Sequence, residues 1–253
     1  MMTQLPHVRS LLLLPLLAAL VAIGVGGCDS GGANGGGPTA QVRVLHASPG
    51  AGDLTIVADG NEVASGLSFR REFANPSITD YRDVPADGAI EVQGDDGTVL
   101  ASVDAGPIDA DQQYTVVVTG DAADGRSAPQ AVVLSDDLPD LGDDEVGLRF
   151  VHASAEAPAI DLFQVPAGGT TGDDNRIASG MTFTETVPAS GDFSVRSVPE
   201  SGFVWTVPTS AGDIRFPVGT EGQSLPTGRY ATALVIDTEA GAGFPVAGLV
   251  QVD

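Results

Sequence analysis

Three sets of side chains in this sequence have the types and spacing to do chemistry. Cys28 is the sole cysteine, so its thiol has no intrachain disulfide partner and is available for acylation or nucleophilic use. His46 and Ser48 stand two residues apart, and His152 and Ser154 repeat that spacing. An imidazole and a hydroxyl so placed suggest a base and a nucleophile, helped by Asp53 or Asp161. The alternative is a brace: the ring buried at a strand end, tied to the serine and nearby backbone to fix a turn. No G-x-S-x-G elbow accompanies either pair. The third set is acidic: Asp95-Asp96, Asp136-Asp137, Asp143-Asp144-Glu145 and Asp173-Asp174. Calcium needs about six to eight converging oxygens, and none of these runs has the D-x-D-x-D-G spacing of a calcium loop. Asp173-Asp174 and Asp143-Asp144-Glu145 are the calcium candidates; otherwise all four runs are solvated loops.

The segment before Cys28 explains why a thiol stands there. Arg9 is followed by an apolar run from Leu11 to Val25, broken by Pro15 and Gly24. That run has the length of a secretory signal core and is short for a membrane span of about 20 residues. It ends Val25-Gly26-Gly27-Cys28, which resembles a bacterial lipobox. Two small residues let the backbone enter a peptidase cleft, and the exposed cysteine takes the lipid. Residues 1–27 therefore read as a lipoprotein signal peptide and 28–40 as a lipidated Gly-rich tether, spanning at most about 40 Å when extended. Asp29 resembles the inner-membrane retention signal of enteric bacteria, which favours the periplasmic face of the inner membrane over the outer membrane.

Charge narrows the partners. The formal net charge is −23, every one of the 11 cations is Arg, and Asp outnumbers Glu 25 to 9. Such a surface repels nucleic acid and anionic lipid headgroups. It suits solubility in a salty or crowded compartment, or cation binding.

An internal repeat organises the rest. Val42-Arg43-Val44-Leu45-His46-Ala47-Ser48 returns as Leu148-Arg149-Phe150-Val151-His152-Ala153-Ser154 at an offset of 106, and Ala64–Phe69 returns as Ala178–Phe183 at 114. The shift places an insertion near Ala167 to Asn175. Val84-Pro85-Ala86 is matched with Val187-Pro188-Ala189. Short alternating runs predict strands at Val42–Ala47, Leu54–Ala58, Glu62–Ala64, Ile78–Tyr81, Ala89–Gln93, Val99–Val103, Tyr114–Thr119 and Ala131–Leu134. Gly- and Asp-rich turns separate them. In the second copy, Ser194–Val198 and Phe203–Val207 read as a hairpin, with further strands at Ile214–Phe216, Tyr230–Ile236 and Ala247–Val252. The expected fold is all-β: two tandem immunoglobulin-like β-sandwich domains, 41–135 and 146–253, joined by an acidic linker at 136–145. His46 and His152 should share a strand face with Val42/Val44 and Leu148/Phe150, since residues two apart point the same way.

Two smaller clusters complete the candidates. Arg70, Arg71 and Arg82 gather near Phe73 and Tyr81, for anion or partner recognition or for pairing with Glu72, Asp80 and Asp83. Trp205, among Phe203 and Phe216, could stack on a sugar or fill the core.

The blocks V-R-V-L-H-A-S-P at Val42–Pro49, A-S-G-L-S-F at Ala64–Phe69 and Y-T-V-V-V-T-G at Tyr114–Gly120 carry a resemblance. They look like the bacterial envelope domain-of-unknown-function family numbered forty-three ninety-seven, often found in tandem on exported proteins. The resemblance implies a β-sandwich and an envelope location and brings no catalytic residues. The expected function is a membrane-anchored lipoprotein with a non-catalytic binding, adhesion or structural role, needing no cofactor and no metal. Its contacts would be the membrane, through Cys28, and an envelope protein or polysaccharide, not nucleic acid. A hydrolase using His46/Ser48 or His152/Ser154, and a calcium-stabilised surface module, are the competing readings.

Overall fold

The computed structural model describes residues 37–70, 77–104, 106, 108–121, 127–166, 172–197, 202–208, 216–218, 227–237 and 246–252. The side chains of 165–166, 202–208, 216–218 and 246–252 are not described, which takes in Trp205. Cys28, the signal segment 1–27, most of the tether, Arg71 and Phe73 lie outside the described residues.

The chain is all-β. In order it forms β1 Thr39–Ala47, β2 Leu54–Ala58, β3 Asn61–Leu67, β4 Arg82–Pro85, β5 Ile90–Gln93, β6 Val99–Val103, β7 Gln113–Asp121 and β8 Ser127–Ser135. After the connection 136–144 come β9 Glu145–Ala153, β10 Ile160–Pro166, β11 Arg176–Met181, β12 Thr186–Val187, β13 Ser194–Ser197, β14 Gly202–Pro208, β15 Phe216–Val218, β16 Tyr230–Ile236 and β17 Val246–Val252. A short 3-10 turn at Asp173–Asn175 precedes β11.

Four sheets result, with orders β4-β1-β7-β8 (sheet I), β3-β2-β5-β6 (sheet II), β12-β9-β16-β17 (sheet III, where β13 also pairs with β9) and β11-β10-β14-β15 (sheet IV). Sheets I and III are built alike. β1 runs parallel to β7, and β9 runs parallel to β16. Val44 faces Val116 as Phe150 faces Ala233, so the offset is 106 on the first strand of each pair and 117 on the second. A two-sheet core closes the first half: Val42, Val44, Val116 and Val118 of sheet I meet Leu54, Ile56, Ile90 and Val92 of sheet II. In the second half, Leu148, Phe150, Ala233 and Val235 of sheet III meet Ile160 and Leu162 of sheet IV.

The opposite faces of sheets I and III do not meet water. Leu45, Ala47, Val117 and Leu134 pack with Val151, Ala153, Leu234 and Ile236 in a third apolar cluster, every member at most 4% exposed. β1 is therefore buried on both sides. Alternation along it sends Val42, Val44 and His46 into the sandwich and Arg43, Leu45 and Ala47 into the seam between the halves. The apolar runs Val116-Val117-Val118 and Ala233-Leu234-Val235 have the same cause, since a strand covered on both faces has no polar side.

Three expectations need correcting. Ile78–Tyr81 is not a strand; Ile78 makes one bridge to Leu45, and regular pairing begins at Arg82. Ser194–Val198 and Phe203–Val207 are not a hairpin, because β13 pairs with β9 while β14 pairs with β10 in the other sheet. β13 and β14 thus belong to different sheets, as β4 and β5 do in the first half. Val84 and Val187 are not counterparts either: Val84 pairs with Ala40, whereas Val187 pairs with Phe150, the partner of Val44 under the 106 offset. The counterpart of Val84 by register is Arg196, which pairs with Val146.

Candidate functional site

Each His-x-Ser pair sits where the first strand of its half ends and turns toward the second sheet. In the first half Ala51 N–H bonds back to Ser48 C=O at 3.4 Å, and Gly50 and Gly52 take φ of 79° and 73°, conformations that suit glycine. His46 Nε2–H donates to Gly52 C=O at 2.9 Å, and its Nδ1 accepts Ser48 N–H at 3.3 Å. Both ring nitrogens are thus occupied, which fixes the neutral Nε2–H tautomer. The Ser48 hydroxyl points elsewhere, donating to Gly120 C=O at 2.6 Å. Phe69 closes the ring's face edge-on at 5.6 Å.

The second half repeats the corner with two changes: His152 Nδ1 is buried without a hydrogen-bond partner, and the serine has a different acceptor. His152 Nε2–H donates to Pro158 C=O at 3.2 Å, the same six-residue reach. The residue answering Gly120 by strand register is Asp237, and the Ser154 hydroxyl donates to its carboxylate. That carboxylate also accepts Ala155 N–H at 2.8 Å, while Ser154 Oγ accepts Ala157 N–H at 2.9 Å. A backbone acceptor in one half is replaced by a side-chain acceptor in the other, and the corner survives.

This geometry braces a turn. His46, Ser48, His152 and Ser154 are at most 2% exposed. Neither hydroxyl is hydrogen-bonded to the imidazole two residues before it, so neither pair is arranged for proton transfer from serine to histidine. Of the proposed helpers, Asp53 acts on His46 only as a nearby charge. Asp161 is turned to Gly180 N–H at 2.8 Å and to Arg176 at 3.7 Å.

Burial pushes both imidazoles below the ordinary histidine range, against the milder upward pull of their carbonyl acceptors. The linkage sign follows. An unfolded chain takes up these protons near pH 6.5, and the native state resists them. Stability is therefore full above that pH and falls as acid is added, by up to about 1.4 kcal/mol per pH unit for each ring. Asp237 acts oppositely, because burial raises its carboxyl above the usual range. Its contribution to stability falls as pH rises through that interval. Urea titrations at pH 7.5, 6.5 and 5.5 isolate the rings when the His46→Gln/His152→Gln protein is run beside the parent. The parent should lose ground to the variant with each step of acid, and parallel curves would refute the account.

The acidic candidates do not converge. Asp173 pairs with Arg176 at 2.7 Å, Asp96 accepts Thr98 N–H at 2.9 Å, and Glu145 accepts Gly142 N–H at 2.7 Å. Among the described residues no group of three or more His, Cys, Asp or Glu side chains could hold a metal ion. Arg82 lies 4.0 Å from Asp80 with both side chains exposed.

Sequence reasoning missed a charged cluster in the seam. Asp136, assigned to the acidic linker, has a side chain 1% exposed. It accepts Arg149 Nη2–H at 2.6 Å, Thr115 Oγ1–H at 2.6 Å and Tyr81 O–H at 2.6 Å, with Arg43 Nε at 3.6 Å. Arg43 and Arg149 are repeat counterparts, and each Nε–H donates to a threonine at 2.9 Å: Thr115 in the first half, Thr232 in the second. Each guanidinium also lies over a ring, Tyr81 at 4.7 Å and Phe193 at 4.2 Å. Burial and the bond to Asp136 hold the Tyr81 phenol well above its ordinary range. The available signal was Arg43 between Val42 and Val44, and Arg149 between Leu148 and Phe150, in strands whose other outward residues, Leu45/Val151 and Ala47/Ala153, are apolar.

These features define an all-β, sandwich-built body whose two histidine corners and buried arginine cluster are engaged in holding sheets together. Residues 40–163 match the family model described as Domain of unknown function (DUF4397). That single match begins in β1, takes in the whole first half and ends within β10. No curated protein matches the chain.

Proposed function

We propose that this chain is a lipid-anchored envelope protein, held to a bacterial membrane by acylated Cys28, with a non-catalytic binding, adhesion or structural role. One observation carries the reading: the apolar run Leu11–Val25 ends in Val25-Gly26-Gly27-Cys28, and a Gly-rich tether leads from there into the folded body. The corners support the non-catalytic part, since both imidazole Nε2–H groups and both serine hydroxyls are committed to backbone and carboxylate acceptors within the fold. The halves are read as two copies of one sandwich, the repeated blocks and the matching order of sheets I and III being their common inheritance. Asp29 favours the periplasmic face of the inner membrane. The partner is an envelope protein or polysaccharide, met by a body whose acidic surface disfavours nucleic acid.

The test is Cys28→Ser in a bacterial host fed an alkyne fatty acid. The parent chain should carry the label and sediment with membranes. The serine variant should lose the label entirely and keep its uncleaved signal, because the lipoprotein peptidase acts on the lipidated cysteine. An unlabelled parent, or a serine variant labelled as strongly as the parent, would remove the anchor from this reading.

A further inference from the structure

We infer that the two halves are each other's docking partner and fold as one cooperative unit, without a hinge between them. Three independent features of the seam lead there. The first is apolar: the faces carrying Leu45, Ala47, Val117 and Leu134 on one side and Val151, Ala153, Leu234 and Ile236 on the other are 0–4% exposed only because they cover one another. Parting the halves would put two sheet faces of this kind into water, a surface that isolated soluble domains rarely show.

The second is directional. Directed hydrogen bonds cross the seam at two separate places, the middle of β9 and its end. At the first, Arg149 of β9 donates to Ser135 C=O, the last residue of β8, and to the carboxylate of Asp136, which follows it. At the other, Thr119 Oγ1–H of β7 donates to Ala153 C=O of β9. Arg149 Nη1–H also reaches Gly191 C=O at 3.2 Å, and a Cβ on Gly191 would stand 3.2 Å from Leu134 Cδ2, so the halves approach closely there. Polar crossings at two separate places fix register and orientation in a way that apolar contact alone does not.

The third is the connection. A hinge needs backbone free to change its torsions, yet Asp136 N–H is bonded to Gln113 C=O at 2.8 Å and Pro139 C=O accepts the Tyr230 hydroxyl. Gly142 N–H is held by Glu145. The linker is tied to both halves along its length. A ligand is consequently met by one rigid body, and closure of one half upon the other is excluded as a binding motion.

The experiment uses the full chain in detergent, with a site-specific protease sequence inserted between the exposed Asp143 and Asp144. After complete cleavage the two pieces should co-elute at 1:1 at nanomolar concentration. The uncut chain should melt in one calorimetric transition whose van't Hoff and calorimetric enthalpies agree. Asp136→Asn in the cut protein should speed dissociation of the pieces at least about tenfold, with the circular dichroism of the complex unchanged before dilution. Pieces that elute apart while each keeps its β signature would overturn the inference. So would two resolved transitions in the uncut chain.

Discussion

Asp136→Asn should lower stability by about 3–5 kcal/mol, the range found when one partner of a buried ion pair is removed. On the scale of a body this size that is a fall in melting temperature on the order of 10 °C. The substitution keeps the side chain's shape and removes its charge. Two guanidinium groups, Arg149 with a side chain 0% exposed and Arg43 at 10%, then share the seam without the carboxylate that faces both. Tyr81 and Thr115 lose their charged acceptor at the same time. Arg43→Met should cost far less, about 1 kcal/mol or under. The cluster holds two cations to one anion, Arg43 Nη2 is buried without a hydrogen-bond partner, and Asp136 keeps its 2.6 Å bond to Arg149. Methionine also fills the space of the aliphatic stem and can rest on the Tyr81 ring. Urea denaturation of the three proteins at one pH decides the matter. Equal losses for the two variants, or a loss under about 1 kcal/mol for Asp136→Asn, would show that the cluster is not held by the shared carboxylate.

That cluster marks where sequence reasoning stops. Alternation in Val42–Ser48 and Leu148–Ser154 reveals which residues share a face, and it places His46 with Val42 and Val44 as the structure does. It does not reveal whether the second face meets water or another sheet. An arginine alternating with apolar residues reads as solvent-facing, and Arg43 and Arg149 are buried only because Thr115 and Thr232 arrive from neighbouring strands and Asp136 from the connection after β8. Asp136 and Asp137 are indistinguishable as a dipeptide, yet one is enclosed and the other exposed, according to which direction the end of β8 gives each. Strand positions fared well: Leu54–Ala58, Val99–Val103 and Tyr230–Ile236 agree with the structure to the residue. Connections fared worse. A four-residue gap with Pro199 and Gly202 suits a hairpin as well as a crossing between sheets, and only the pairing of β13 with β9 decides. The two His-x-Ser corners were visible as a repeat, but their acceptors were not, because Gly120 and Asp237 lie 72 and 83 residues from the serines they hold.

The two halves solve one packing problem differently, and this yields a sharp double-mutant test. Gln41 and Gln113 face each other in the parallel pair of the first half, joined side chain to side chain at 2.7 Å. Their counterparts by register are Gly147 and Tyr230. The tyrosine ring occupies the space a side chain at 147 would need: a Cβ there would lie 2.2 Å from Tyr230 Cδ1. The ring cannot swing aside cheaply, because its hydroxyl is bonded to Pro139 C=O and its edge meets Phe193 at 5.5 Å. Phe193 in turn lies against Arg149. Gly147→Gln should therefore cost about 2–3 kcal/mol, at the upper end of what an overpacked site loses. Tyr230→Gln alone should also destabilise, by emptying the space and releasing Pro139. The two together recreate the glutamine pair of the first half, so their combined loss should be smaller than the sum of the single losses by at least about 1 kcal/mol. If the losses instead add to within about 0.5 kcal/mol, the glycine is not there to admit the ring, and the claim that each half supports its parallel pair with a matched partner falls with it.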